Sequence, residues 1–492
     1  MAFGGTIVIK INIILSLICR NYLDDCATKN HTFHIMPVLI GSDNPQCQIP
    51  EVQALVSKFT LYGSLISGIL SAITSPKLGA LSDKYGRTRM ICLSTLGMLI
   101  NEAIFIVVAT YPDTFSVNWL LLGYFFDGVG GSFIAAMAIS YAYASDCTPP
   151  DRRNVVFGYY QGCLFGGIAL GPFLGGSIVR ATGNILSVFY FALASHFLFL
   201  LNLLLIVPES VSEDRQRASR EKHKSAVTGA DTHLSIFAQA LDQLQPILKV
   251  SNLLAPLAIL WPTGPGTKPA LRRNLFFLAA VDTTTFGVAM GAMTVILIYS
   301  EFMFGWGNYE TNIFMSVVNI CRLVVLLVFL PLINRILRGP PSQRIQNSTG
   351  CDAIDLGIIR VAILFDVIGY VGYSTVRTGS LFMASGALAS LGGLASPTLQ
   401  SALTKHVPPD RTGQILGAMG LLHASARVLS PVIFNLIYAE TVGKFTQTVF
   451  VCLAATWGLA FVFALCIRPN GESKAPSLPG VECVLNSAST LG

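Results

Sequence analysis

The chain has 492 residues, a net charge of +6 and a mean hydropathy of +0.62, with 52% hydrophobic and 12% charged residues. Soluble domains carry about 25% charged residues, and a soluble fold this apolar would expose large sticky patches. Soluble enzymes, disulfide scaffolds and disordered chains are excluded; the solvent that fits is lipid.

Apolar runs long enough to span a membrane recur twelve times, near 3–19, 56–80, 90–110, 118–143, 154–179, 185–207, 274–299, 310–333, 356–376, 379–402, 412–438 and 446–467. The first run is short and carries Lys10 in its middle. No small-residue cleavage site follows it, so it is read as a first transmembrane helix rather than a signal peptide. With the N-terminus inside, 21 Lys and Arg fall in segments on the cytoplasmic side and five on the opposite side, and this bias sets the expected orientation, with both termini cytoplasmic. The segment 20–55 is then external. It contains the glycosylation sequon at Asn30 and two cysteines, Cys26 and Cys47, which either pair in that oxidising compartment or remain free thiols. A second sequon, at Asn347, falls on the cytoplasmic side and is expected to stay unmodified.

The segment 208–273 is charged at its start. It then carries Leu234, Phe237, Leu241, Leu244 and Leu248 at helical spacing, a pattern suited to the membrane interface. It separates a six-helix half, 1–207, from a second, 274–467, followed by a cytoplasmic tail, 468–492. The halves repeat. Pro149-Pro150-Asp151-Arg152 recurs as Pro408-Pro409-Asp410-Arg411, and the same offset of 259 residues carries Gly158 onto Gly417 and Pro172 onto Pro431. Two such halves are the parallel-repeat plan of a secondary transporter, with the substrate site between them. The expected fold is therefore an all-α integral membrane protein of twelve transmembrane helices in two pseudo-symmetric halves.

Between the second and third runs stands Gly79-Ala80-Leu81-Ser82-Asp83-Lys84-Tyr85-Gly86-Arg87-Thr88-Arg89. Gly79 permits close helix packing and Gly86 a turn with positive φ. Asp83 suits a neighbouring helix N-terminus, while Arg87 and Arg89 suit carboxylates or lipid phosphates. This stretch resembles the signature loop of the major facilitator superfamily, with Lys84 in place of the usual Arg and Thr88 departing from a basic pair. The resemblance implies that Gly79, Asp83, Gly86, Arg87 and Arg89 form a gating motif that latches the halves in the outward-facing state. A second phrase, Gly167, Gly171-Pro172 and Gly175-Gly176 in the fifth run, looks like the Gly-Pro motif of antiporters in that family, where small residues let helices approach closely. Within the superfamily, the 17–22, 127–131 and 141–146 stretches are similar to proton-coupled folate transporters and related fungal efflux-type carriers.

A charge at mid-bilayer costs on the order of 3 kcal/mol and needs a reason. Asp127 and Asp282 fall on the fourth and seventh runs, which the resemblance places along the cavity. Together with Arg322 and Arg427 they are the candidate proton and substrate residues. Asp366, Arg360, Glu102, His196 and His423 are read as packing groups. No Walker-type loop or metal-ligand spacing occurs, so neither ATP-driven pumping nor enzyme chemistry is expected, and neither a cofactor nor a metal. The expected partners are a small-molecule substrate, protons and membrane lipids, not nucleic acid. The leading expectation is a plasma-membrane, proton-coupled exporter of a secondary metabolite or drug-like molecule. The alternatives are an importer of a folate-like or haem-like organic anion, a nutrient transceptor, and an endomembrane location.

Overall fold

The computed structural model describes residues 2–29, 38, 45–47, 49–227, 254–263, 268–306, 308–339 and 350–469. No strand occurs among them. The helices are α1 (Ala2–Lys29), α2 (Pro50–Tyr85), α3 (Arg87–Thr110), α4 (Trp119–Val129), α5 (Ser132–Cys147), α6 (Arg153–Thr182), α7 (Leu186–Leu205) and α8 (Glu213–Val227), followed by α9 (Pro269–Phe304), α10 (Asn308–Val324), α11 (Leu330–Arg338), α12 (Ala353–Thr375), α13 (Gly379–Ala389), α14 (Ala395–Lys405), α15 (Thr412–Thr441) and α16 (Thr448–Cys466). Ten helical stretches are long and apolar enough to cross a membrane. The 28-residue α1 and the 23-residue α12 occupy the two remaining apolar runs. At about 1.5 Å per residue, the 36 residues of α2 or α9 reach about 54 Å, well beyond a hydrocarbon core of about 30 Å. Large apolar side chains such as Leu205 (74% exposed) and Leu198 (63%) line the outside, as lipid contact requires.

Two runs read as single helices are each broken in two. The fourth divides at Gly130–Gly131, where Gly131 has φ 80° and Ser132 φ 55°. The Gly128 carbonyl beside the break accepts from Gly131 N–H at 2.9 Å and Thr74 Oγ1 at 2.9 Å, so irregular backbone at membrane depth stays satisfied inside the protein. The tenth run breaks at a 3₁₀ turn, Ser390–Leu394, where Ser390 Oγ donates to the Val318 carbonyl at 3.1 Å. The 259-residue offset of the repeat lays Gly131 on Ser390. A π turn, Val325–Phe329, joins α10 to α11.

The first helix is longer than its apolar run, and this overturns the pairing of Cys26 with Cys47. The disulfide joins Cys19 to Cys47, with Cα atoms 5.5 Å apart, and Cys26 is free. Because α1 continues to Lys29, Cys26 lies about two turns beyond Cys19, and the short 3₁₀ turn Pro45–Cys47 returns Cys47 to the level of Cys19. Closing a loop of this length contributes about 3 kcal/mol. Asn30, Asn347, the 234–248 amphipathic stretch and the tail from 470 lie outside the described residues.

Helix α2 runs along both α4 and α15, α3 packs on α4, α5 and α7, and α9 packs on α15 and α16. Helices before and after the central segment meet at the end that carries Asp83. There a Cβ on Gly79 would lie 2.8 Å from the Gly417 Cα, and one on Gly158 2.6 Å from Leu330. Farther along α6 the close approach ends: a Cβ on Gly162 would lie 2.9 Å from Leu327, whereas one on Gly176 would meet nothing.

Candidate translocation site

The closed end is built around one buried arginine. Gly86, with φ 102°, turns α2 into α3, and a Cβ there would strike the Glu209 carboxylate. This turn drops Arg87 into the interior, fully buried, where its guanidinium meets Asp83 at 2.6 Å, Asp146 at 3.0 Å and Ser82 Oγ at 2.6 Å. Asp83 in turn accepts from the backbone N–H of Gly413 (3.1 Å) and Gln414 (3.0 Å) in the first turn of α15, where the helix dipole favours a carboxylate. Close approach of α2 to α15 at Gly79 and Gly413 makes that reach possible. Arg215 of α8 adds a strap, 3.6 Å from Asp146 and donating to the Pro409 carbonyl at 2.9 Å. Arg89 is exposed and outside this network.

Glu209 was not singled out from the sequence as a member of this cluster. It caps α3 by accepting from Arg87 N–H (2.8 Å), Thr88 N–H (3.1 Å) and Thr88 Oγ1 (2.6 Å). The residue that departs from the family's basic pair therefore has a use as a donor to the cap.

In the helix-five motif, Gly167, Gly171 and Gly175 are buried on α6, which packs against α1. A Cβ on Gly176 would meet nothing, and Pro172 sits within an unbroken helix.

A cavity of about 510 Å³, part of it open to solvent, lies between α5 and α6 on one side and α9, α14 and α15 on the other. Phe133, Met137, Phe286 and Met419 make it largely apolar, and Tyr141, Gln161, Ser396, Gln400 and His423 add the polar points. Gln161 Nε2 donates to Ser396 Oγ at 2.7 Å across the two sides. Behind the wall sits Asp282, 1% exposed, whose Oδ2 accepts from Gln400 Nε2 at 2.6 Å and contacts His423 Nε2 at 2.8 Å. The His423 ring stacks on Phe286, centroids 4.3 Å apart. In sequence His423 reads as a packing group; its partner Asp282 lies 141 residues away, and no local spacing links the two.

The other candidates fall elsewhere. Asp127 accepts from Ser67 Oγ at 2.6 Å, next to the α4–α5 break, and is not in the cavity lining. Arg427 lies within the field of Asp127 without ion-pair contact. Its guanidinium sits 5.3 Å over the Phe133 ring and donates to Ser132 Oγ at 3.3 Å. Arg322 lies over Phe165 at 5.2 Å, with Asp366 as the carboxylate that feels its charge. Arg360 donates to the carbonyls of Ala464 (3.2 Å) and Ile467 (2.9 Å), closing the C-terminus of α16. Lys10 pairs with Glu102 at 2.7 Å, so the charge that weakened the first run and the one on the third satisfy each other.

A helical bundle with an internal, partly open cavity, closed on the Asp83 side, defines a polytopic membrane carrier. The chain belongs to the Major Facilitator Superfamily, whose family model matches residues 52–431. It is 30% identical over 498 residues to the MFS-type transporter avaJ of Aspergillus versicolor, covering 99% of this chain and 89% of that one. It is 26% identical over 433 residues to the class C tetracycline resistance protein of Escherichia coli, covering 87% and 88% of the two chains. Among solved structures, the human organic anion transporter MFSD10 superposes with a TM-score of 0.62 at 17% identity, covering 94% of this chain and 99% of that one. The chain is thus a multi-pass membrane transporter of small molecules.

Proposed function

We propose that this protein is a proton-coupled secondary transporter that exports a small, largely apolar aromatic molecule by alternating access. Its moving bodies are the halves 1–207 and 274–467. The observation that carries the reading is the cavity between α5–α6 and α9–α14–α15, sealed at one end by Asp83 on the α15 N-terminus. In this arrangement the sealed end is the cytoplasmic one, in keeping with the excess of Lys and Arg there, and the state is outward-facing. The Cys19–Cys47 disulfide, at the far end of α1, suits an oxidising exterior. Apolar lining with few polar points favours a drug-like or secondary-metabolite cargo, and the tetracycline-resistance relative supports export. Asp127 and Asp282 are buried carboxylates on α4 and α9, and they supply the candidates for proton coupling.

The test is flux into inside-out vesicles across a compound panel, with and without a pH gradient. Accumulation that requires the gradient is expected; accumulation indifferent to it sinks the coupling. Slower gel migration of the wild type than of Asn30→Gln, with no change in Asn347→Gln, is expected if the end opposite Asp83 faces outward. A second reading, import of an organic anion, rests on the Arg427 guanidinium over cavity-lining Phe133. It requires uptake that fails in Arg427→Gln.

A further inference from the structure

We infer that His423, held by Asp282, is the group at which substrate and proton exclude each other, and that the cargo is an aromatic molecule presenting an O–H or N–H donor to His423 Nδ1. This rests on the proton-coupled reading above and assigns the place where the coupling is made.

Hydrogen-bond accounting leads to it. Asp282 Oδ2 faces two nitrogens, Gln400 Nε2 at 2.6 Å and His423 Nε2 at 2.8 Å. A carboxylate only accepts, so the His423 Nε2 carries the hydrogen and the neutral ring is left with Nδ1 as a bare acceptor. Among the described residues no hydrogen bond engages Nδ1. The ring lies in the cavity wall with its plane fixed against Phe286, 15° from parallel. An acceptor is thus presented to the cavity on a rigid support, next to a buried negative charge.

The wall holds a second unanswered polar group. Tyr141 is 4% exposed, and its hydroxyl faces Gln161 without forming a well-made hydrogen bond. A buried hydroxyl left unpaired is costly, and a polar atom on the cargo would relieve that cost. Two polar points on an otherwise apolar, aromatic wall select a flat molecule with polar substituents on its edge.

The exclusion follows from the proton count. Without a bound proton the pair is imidazole and carboxylate, and Nδ1 accepts from the cargo's O–H or N–H. When a proton enters from the open end it binds Nδ1, giving imidazolium and carboxylate. Nδ1 then donates, and the cargo's donor is turned away. One lone pair cannot serve both, so each ligand displaces the other, as antiport requires. The titratable group facing the pair is Tyr141 from α5, which feels the Asp282 charge; Arg427, one turn along α15, is engaged instead with Ser132, the Phe133 ring and the field of Asp127 on α4. From α14 comes uncharged Gln400, from α2 Ser75 against Gly420, and from α9 Phe286.

The test uses the full-length protein, purified in detergent and reconstituted in liposomes. Tetracycline, a fused-ring molecule with phenolic O–H groups, is the probe. The first arm needs no cargo: diethyl pyrocarbonate acylates an unprotonated imidazole nitrogen, and mass spectrometry locates the adduct. Modification at His423, suppressed by acid and by tetracycline, is expected; a His423 that stays unmodified overturns the bare, cavity-facing Nδ1. The second arm adds tetracycline in weakly buffered solution. The wild type should release close to one proton per molecule bound, with affinity falling toward tenfold per pH unit of acidification. His423→Gln and the isosteric Asp282→Asn should bind without release and lose on the order of tenfold in gradient-driven flux. Undiminished release by both variants overturns the proposal while leaving proton coupling intact, with Asp127 then its site. Wild-type flux indifferent to a pH gradient refutes the coupling reading itself. No tetracycline binding by the wild type overturns the ligand class.

Discussion

Two charge clusters sit at the closed end of the bundle, one on each side of the central segment, and they solve the same problem with opposite signs. In the first, the cation Arg87 is buried among Asp83, Asp146 and Ser82. In the second, Asp355 is fully buried between Arg338 at 2.6 Å and Lys405 at 2.5 Å, and Arg338 also holds Asp352 at 2.8 Å. The repeat offset of 259 residues lays Asp146 on Lys405, so one structural position holds an anion in the first half and a cation in the second. What the duplicated position keeps is a partner for a buried charge, whichever sign that charge has. The clusters also differ in how they reach across. Asp83 presents an ionised carboxylate to the backbone of α15, whereas the second cluster is reached from α6 by a neutral side chain, Asn154, whose Nδ2 lies 3.1 Å from Asn334 Oδ1 and 3.4 Å from Asp355 Oδ1. Bonds to an ionised carboxylate are roughly twice as strong as neutral ones, and Asp83 accepts two of them at 3.1 and 3.0 Å, whereas Asn154 makes one, at the longer distance of 3.4 Å, beside a neutral one. The first cluster therefore acts as the latch and the second mainly as a brace within its own half.

The sharpest way to break this comparison is to empty the first cluster. Arg87→Ala leaves Asp83 and Asp146 buried without their cation, and stranding a buried charge costs about 3–5 kcal/mol. Thermal unfolding in detergent should show a destabilisation of that order, with transport lost. Asp83→Asn is the milder probe, since it keeps the shape but loses the ionic reach to Gly413 and Gln414. Protein levels should hold while turnover falls on the order of tenfold or more. Unchanged turnover in a well-expressed Asp83→Asn, Arg87→Ala double variant removes the latch.

Lys405→Met should fall lower on the scale. Arg338 still pairs with Asp355, so about 2 kcal/mol is expected, read as a lower unfolding temperature with turnover within about twofold of the wild type. Equal losses of turnover in Lys405→Met and Asp83→Asn would erase the distinction between brace and latch. Thr88→Val tests the cap from outside the ion cluster. Losing one hydrogen bond to Glu209 should cost about 1 kcal/mol, and conversion to Ser should restore it.

The sequence made local features legible and left cross-chain ones hidden. Apolar runs located the spanning helices, because lipid imposes length and composition on each segment independently. The stretch from Gly79 to Arg89 pointed to the closed end, since its glycines, aspartate and arginine act within one turn of chain. By contrast, Glu209 lies 122 residues from Arg87 and His423 lies 141 from Asp282, and nothing in spacing or periodicity ties such partners together. The disulfide was misread for a related reason. An apolar run shows where hydrophobic residues stop, whereas α1 continues through Arg20-Asn21-Tyr22 to Lys29, which keeps Cys19 inside the helix and puts Cys26 out of reach. Lys10 and Glu102 each looked anomalous alone; their pairing at 2.7 Å became visible only with α1 laid against α3.

The smallest expected effect comes from Asn154→Ala, and it separates the clusters most cleanly. Asn154 is fully buried at the first turn of α6, and its amide is the side-chain link from the first half to Asn334 and Asp355. The ion pairs of Asp355 with Arg338 and Lys405 survive the substitution, so no charge is stranded. Removing the amide loses the 3.1 Å bond to Asn334 and the long 3.4 Å bond to Asp355, together worth about 1 kcal/mol, and that energy bears on the closed end. A 1 kcal/mol bias shifts a two-state equilibrium about fivefold, so the ratio of molecules closed to molecules open at the Asp83 end should fall by that factor with unfolding temperature nearly unchanged. Spin labels on exposed residues of α6 and α11 at that end, read by pulsed electron resonance, measure the shift. An Asn154→Ala protein that unfolds several kilocalories more easily would show that the second cluster depends on the amide for its own integrity, and the division into a latch and a brace would then be wrong.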